Sequence, residues 1–240
     1  MGILAAVLLL LALLPSQPIV AQPEVRVLVF SRTTGFRHDS IPDAVGAIQR
    51  LGSDNGFQVD ATQDPSVFDD ATLAAYQAVV FALTTGSVLD DPGRAAFERY
   101  IRSGGGFAGI HSAADTEYDW PWYGQLMGAY FASHPAIQTA SVLDDSGQDE
   151  PWLRTDEWYT FRSNPRPSVQ VLLRLDEASY RGGGMGDDHP IAWFHSFDGG
   201  RAWYTGMGHT RESYSEPRFL RHVLAGIRYA AGLSPAPAER

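Results

Sequence analysis

Seven histidines stand in a chain of 240 residues that contains no cysteine. They include His38 in TGFRHDS, His111 in GIHSAADT, His134 in ASHPAI, His189 in DDHPIAW and His209 in GMGHTRES. Carboxylates lie close by in sequence, at Asp115, Glu117 and Asp119, at Asp156-Glu157, and at Asp187-Asp188. Imidazoles and carboxylates move protons near neutral pH and ligate zinc-like cations. Chemistry through a thiolate is excluded, as are a disulfide framework and lipid attachment through Cys.

The expected catalytic groups are His111, Asp115 and His209. The expected metal ligands are His111, His134 and His209, which with an acid among Asp115, Asp156 and Glu157 make an N/O set suited to zinc or a similar divalent cation. Asp115 lies four residues beyond His111 and shares its face if a helix begins there. Substrate contacts are expected from Arg37, His38, Trp120, Asp156 and Glu157. A guanidinium suits a hydroxyl-rich or anionic group, carboxylates accept hydroxyl protons, and an indole stacks on a sugar's C–H face. Phe36, beside Arg37 and His38, is placed to pack against the same ligand. His189, before Pro190, is expected to shape a turn, and His195 and His222 to be surface or satisfied core groups. The run Gly182–Gly186 lacks the Lys-Ser/Thr of a phosphate loop and reads as a flexible lid or turn.

These residues need a scaffold, and the hydrophobic pattern supplies one. Val25–Phe30, Phe57–Ala61, Ala78–Leu83 and Phe107–Ile110 read as strands. Helices begin at Ser40-Ile-Pro-Asp43, read as a capping box, and at Asp90-Asp-Pro-Gly93. Alternation of this kind makes right-handed βαβ units, and ligands then bind beyond the carboxyl ends of the parallel strands. His38 and His111 follow such ends. Further strands are expected at Ala136–Leu143, Val169–Leu175, Ile191–Phe194 and Ala202–Tyr204, with His209 beyond the last. A final helix from about Glu216 to Ala231 turns Phe219, Leu220, Val223, Leu224 and Ile227 inward.

The segments VLVFSRTTGFRHDSI, RSGGGFAGIHSAADT, MGAYFASHP, DEWYTF, HPIAWF and TGMGHTRESY, in this order, resemble the trehalose-utilisation (ThuA-like) family. The resemblance implies a class I glutamine-amidotransferase-like, flavodoxin-like α/β fold: a single domain with a mostly parallel sheet flanked by helices. It also implies a place in sugar catabolism, with 3-keto-glycosides as substrates. In amidotransferases of this fold the strand-to-helix elbow carries a cysteine in a G-x-C-x-G setting. The matching tract here is Gly109-Ile110-His111-Ser112-Ala113, so glutamine hydrolysis by a thiolate is excluded.

The formal charge of −10, with all 18 cationic residues arginine, leaves no basic footprint for nucleic acid or an anionic membrane. The expected partner is a small-molecule carbohydrate. The oligomeric state is open, a homodimer being allowed. The expected division is a signal peptide over 1–21, the α/β domain over 22–233 and a flexible tail over 234–240. The Leu/Ala run Ile3–Leu14 is too short to span a bilayer, which needs about 20 residues, but suits a signal-peptide core. The reading is an exported, secreted or periplasmic enzyme acting on a keto-sugar or glycoside. The alternative is an exported sugar-binding module, which would show neither bound metal nor pH-dependent turnover. N-terminal sequencing of exported protein is expected to begin at Gln22; a protein retaining Met1 would overturn export with cleavage after Ala21.

Overall fold

The computed structural model describes residues 25–237, so the signal-peptide segment and the last three residues of the tail lie outside it. The first half alternates strand and helix: β1 (Arg26–Phe30), α1 (Ile41–Asn55), β2 (Gln58–Thr62), α2 (Asp70–Leu73), β3 (Ala78–Ala82), α3 (Asp91–Arg102) and β4 (Gly106–Ile110). β3 and β4 are buried along their whole length, as expected for parallel strands covered on both faces. The second half comprises α4 (Pro121–Met127), β5 (Phe131–Ser133), β6 (Gln138–Asp144), β7 (Trp152–Asp156), β8 (Thr160–Phe161), β9 (Gln170–Asp176), β10 (His189–Phe197), β11 (Gly200–Thr205) and α5 (Pro217–Ala230).

Nine strands form one sheet in the order β2-β1-β3-β4-β11-β10-β9-β6-β7, and β5 pairs with β8 in a separate ribbon. β2, β1, β3, β4 and β11 run parallel, giving the flavodoxin-like half. The remaining four strands are antiparallel to their neighbours, so the sheet is mixed. The connections explain the change. β10 and β11 are joined by Asp198-Gly199 alone, both at positive φ (47° and 95°), the geometry of a tight hairpin turn that only antiparallel neighbours can use.

The carboxyl ends of β1, β3, β4 and β11 share one edge of the sheet. The helix expected to open at a Ser40 capping box does start at Ile41, but Ser40 makes no side-chain cap. Its hydroxyl instead donates to the backbone oxygen of His209 at 2.6 Å. β7 and the short turns over residues 65–73 had no counterpart in the sequence reading. On α5, Phe219, Val223 and Ile227 are buried as the spacing requires, whereas Leu220 and Leu224 are only partly covered. Among the described residues, no helix is long and apolar enough to cross a membrane.

α5 approaches the sheet closely because Gly226 leaves room for the Trp203 indole; a Cβ there would overlap the ring. Gly226→Ala is expected to lower the free energy of unfolding by about 1–3 kcal/mol, as overpacking does. Gly46→Ala, whose Cβ would meet only the end of Arg50 at 3.4 Å, is expected to raise it by about 0.5–1 kcal/mol. Urea titration of both variants checks the pair.

Candidate functional site

His111, the first residue after β4, has a left-handed conformation, φ 51°, rare for a residue with a side chain. The expected helix after it is a 3-10 turn, His111–Asp115. Two hydrogen bonds hold the elbow. The Tyr204 hydroxyl donates to the His111 carbonyl at 2.8 Å, and His111 Nδ1 lies 2.8 Å from the Gly206 carbonyl. A carbonyl can only accept, so the neutral ring keeps its proton on Nδ1 and a lone pair on Nε2.

His209 is presented by the loop after β11. Gly208 sits there at φ 109°, where a Cβ would stand 2.8 Å from the Tyr214 hydroxyl oxygen, so only glycine fits. The Gly208 and His209 N–H groups donate to the two oxygens of Asp156 at 2.8 and 3.0 Å. His38 is buried on the loop after β1, its Nδ1 3.4 Å from the Ser112 hydroxyl. The rings of His38, His111 and His209 form a near-equilateral triangle with centroid separations of 5.0, 5.0 and 5.2 Å, each pair close to perpendicular.

Glu157, the first residue after β7, completes the cluster. Its Oε2 lies 3.1 Å from His209 Nδ1 and 3.4 Å from His111 Nε2, and those nitrogens are 3.2 Å apart. One ligand atom from each of His38, His111, Glu157 and His209 falls within 4.8 Å of the others. Tetrahedral zinc with bonds of about 2.0–2.1 Å has ligand–ligand edges of about 3.3 Å. Three edges of this cluster match that length. Three imidazoles and one carboxylate are also a zinc-like donor set, so the residues fit a divalent cation.

The electrostatics sort the members. Burial, reinforced by the neighbouring His111 and His209, lowers the His38 pKa to about 3 and keeps that ring neutral. Burial opposes charge on His209 too, but the hydrogen bond it donates to Glu157 overcomes it and raises the pKa. For Glu157 burial works against ionisation; the His111 and His209 imidazoles, 3.4 and 3.1 Å from Oε2, outweigh it and hold the carboxyl well below the usual carboxylate range.

Other expected site residues are placed differently. His134 is outside the converging set and Glu157 stands in its place, because β5 brings the imidazole only to the far oxygen of Glu157, Nδ1 to Oε1 3.1 Å. His134 is 41% exposed at the mouth. Asp156 is fully buried with both oxygens engaged, so it positions the His209 loop and does not face substrate. Trp120 is also not a platform: it is buried against Phe97, Trp122 and Tyr123, its indole donating to Glu98. Asp115 is half-buried outside the cluster and accepts the Tyr118 hydroxyl at 2.6 Å. Arg37 is exposed beside His38.

Two groups outside the expected set of site residues support the cluster. The Tyr159 ring lies over His111 with centroids 4.1 Å apart. His189, at the start of β10 and not in a turn, is fully buried between the Tyr159 carbonyl (2.8 Å) and Glu177 (2.7 Å). Glu177 also accepts the N–H groups of Gly184, Met185 and Gly186, which fastens the glycine-rich loop. His195 and His222 are buried, the former against the Leu126 carbonyl at 2.9 Å.

The family model for trehalose utilisation (ThuA) matches residues 26–230. A crystal structure of a protein described as ThuA-like from Bacteroides uniformis ATCC 8492 superposes with a TM-score of 0.71 at 25% identity, over 90% of this chain and 95% of that one. A second, from Parabacteroides merdae ATCC 43184, gives 0.71 at 19% identity, over 87% and 90%. The β-galactosidase from Bacillus circulans sp. alkalophilus shares the fold at a TM-score of 0.56 and 15% identity, over 89% of this chain and 32% of that enzyme. Among curated proteins no match was found.

The geometry predicts one zinc-like ion per chain. Glu157→Gln is expected to weaken zinc binding by more than about 100-fold. Asp156→Asn, which disturbs a ligand through its support, should cost about 10–100-fold. His134→Ala should stay within a few-fold of the wild type. Competition titration against a chromogenic chelator measures all three, and a large loss in His134→Ala would restore that residue to the ligand set.

Proposed function

The chain belongs to the trehalose-utilisation (ThuA) family, and from that premise we propose that it is an exported enzyme of carbohydrate metabolism acting on a keto-sugar or keto-glycoside. The supporting observation is the convergence of His38, His111, His209 and Glu157 at the carboxyl edge of the parallel strands, where this architecture binds ligands. These four would hold a divalent cation. When bound, it would supply Lewis acidity toward a sugar carbonyl or hydroxyl oxygen. Export rests on the Leu/Ala run near the N-terminus, outside the described residues.

A keto group acidifies the C–H bond beside it. A base that removes this proton permits loss of the neighbouring glycosidic substituent or isomerisation of the sugar. His111 and His209 are turned inward with their inner nitrogens facing Glu157, so they hold and orient. His134 is the ring open to substrate. Its Nδ1 lies 3.1 Å from Glu157 Oε1 and 2.9 Å from the Pro135 carbonyl, two acceptors, so Nδ1 donates and Nε2 keeps the lone pair that takes a proton. Burial of Tyr159 over His111 excludes water from one side of the centre.

A screen of keto- and unmodified mono- and disaccharides, with and without zinc, tests this reading. Turnover is expected only with keto-sugars. His134→Ala should lower kcat by about 100-fold or more, the usual contribution of one acid–base group, with zinc content and thermal midpoint unchanged. Sugar binding without turnover under every condition would mark a binding module instead.

A further inference from the structure

Tyr159 carries a hydrogen-bond donor that the folded chain does not use. Tyr123, Tyr159, Tyr204 and Tyr214 are the most deeply buried tyrosines among the described residues. Three of them donate to backbone carbonyls: Tyr123 to Ala113 at 2.7 Å, Tyr204 to His111 at 2.8 Å and Tyr214 to Gly208 at 2.8 Å. The Tyr159 hydroxyl, on a residue only 2% exposed, makes no hydrogen bond to any described residue. A buried donor left unmade is costly and rare in native proteins, so it points to a partner from outside the chain. The oxygen is not one of the fully enclosed side-chain atoms that lack a partner, so it borders open space.

The ring is held in place. It lies against the rings of His111 and Phe131, centroids 4.1 and 4.3 Å away, and the Tyr159 carbonyl stands 2.8 Å from His189 Nε2. The His134 ring is 6.1 Å away, with planes 27° apart. A phenol is thus fixed beside both a member of the four-residue cluster and the ring open to substrate. Burial pushes its pKa well above the ordinary value, and the neighbouring Tyr204, Glu157 and Asp115 add to the effect. The hydroxyl therefore keeps its proton wherever an imidazole acts as base, and remains a donor.

On the keto-sugar reading of the centre, from which this role follows, His134 Nε2 takes the proton from the carbon beside the carbonyl. The electron pair of that C–H bond moves into the carbon–carbon bond, the carbonyl π pair moves onto oxygen, and that oxygen becomes negative. We propose that Tyr159 is a further catalytic residue, whose hydroxyl donates to this oxygen and keeps its own proton throughout. A hydrogen bond to the neutral carbonyl is ordinary, whereas one to the developing oxyanion is charge-assisted. The hydroxyl then favours the transition state over bound substrate.

Steady-state kinetics of zinc-loaded wild type and Tyr159→Phe with 3-keto-trehalose and 3-keto-glucose test this, with Tyr123→Phe as a control for stability. Tyr159→Phe is expected to lower kcat by about 100-fold or more, the usual cost of one oxyanion donor, with KM within about threefold. The pH midpoints of kcat and the zinc affinity should not move, because the hydroxyl neither titrates nor ligates. The thermal midpoint should hold or rise in Tyr159→Phe, which breaks no bond of the free protein, and fall by about 2–4 °C in Tyr123→Phe, which breaks one. A kcat within threefold of the wild type, or a loss confined to KM, would overturn the role of Tyr159 while leaving the keto-sugar reading standing. A thermal loss in Tyr159→Phe equal to that in Tyr123→Phe would mark a structural hydroxyl and overturn it as well. Turnover of neither keto-sugar by the wild type would overturn both.

Discussion

A single buried carboxylate ties the site together. Asp156 is fully enclosed and accepts the N–H groups of Gly208, His209 and Glu157, with Arg154 as its counter-charge at 3.1 Å. An ionised carboxylate in such a place is tolerable only when hydrogen-bonded and paired. Arg154 is fixed in turn by the Ser213 hydroxyl at 2.7 Å and lies over the Trp152 and Phe219 rings. β7 and β11 are separated by three strands in the sheet order, yet this knot brings the end of one against the loop of the other. Glu157, the next residue, is thereby delivered to rings that belong to the opposite half of the sheet.

The elbow at His111 shows how the fold meets a local cost. A left-handed conformation at a residue with a side chain costs on the order of 1–3 kcal/mol. It persists because the Tyr204 hydroxyl and the Gly206 carbonyl bind the backbone and the ring of the same residue. Both partners come from β11 or just beyond it, the strand that pairs with β4. The same pairing that builds the sheet therefore orients Nε2 toward His209. An elbow that could serve a nucleophile here presents an imidazole to the cluster.

How much of this was legible depended on whether the signal was local. The alternation of apolar runs and helical periods disclosed the parallel half, and with it the edge on which His38, His111 and His209 lie. Glu157 was one of three candidate acids for the cluster, with Asp115 and Asp156, and nothing local singled it out, because β7 was not visible. Its five residues put Arg154 and Asp156 inward and Leu153 outward, the reverse of the hydrophobic alternation that marks a half-buried strand. Trp120 misled for a related reason. An aromatic residue near an elbow has the same sequence appearance whether it faces a ligand or packs on Phe97. Ser40 carried a sound helix-start signature, and only the distant His209 carbonyl, 169 residues away, decides where its hydroxyl goes.

The adjacent acids Asp156 and Glu157 differ in what balances their charge, and the difference bears on the chemistry. Asp156 has a guanidinium; the ion-pair partners of Glu157 among the described residues are the imidazoles of His111, His134 and His209. His38 is held neutral by burial, so it does not supply the compensating charge. The His209 ring donates to Glu157 and its pKa is raised, which favours a proton on Nδ1. A divalent cation entering between these groups would take over the role of that proton, since ligation requires the lone pair on Nδ1. Cation binding and proton release are then one event, and the affinity of the centre must rise with pH through the titration of His209.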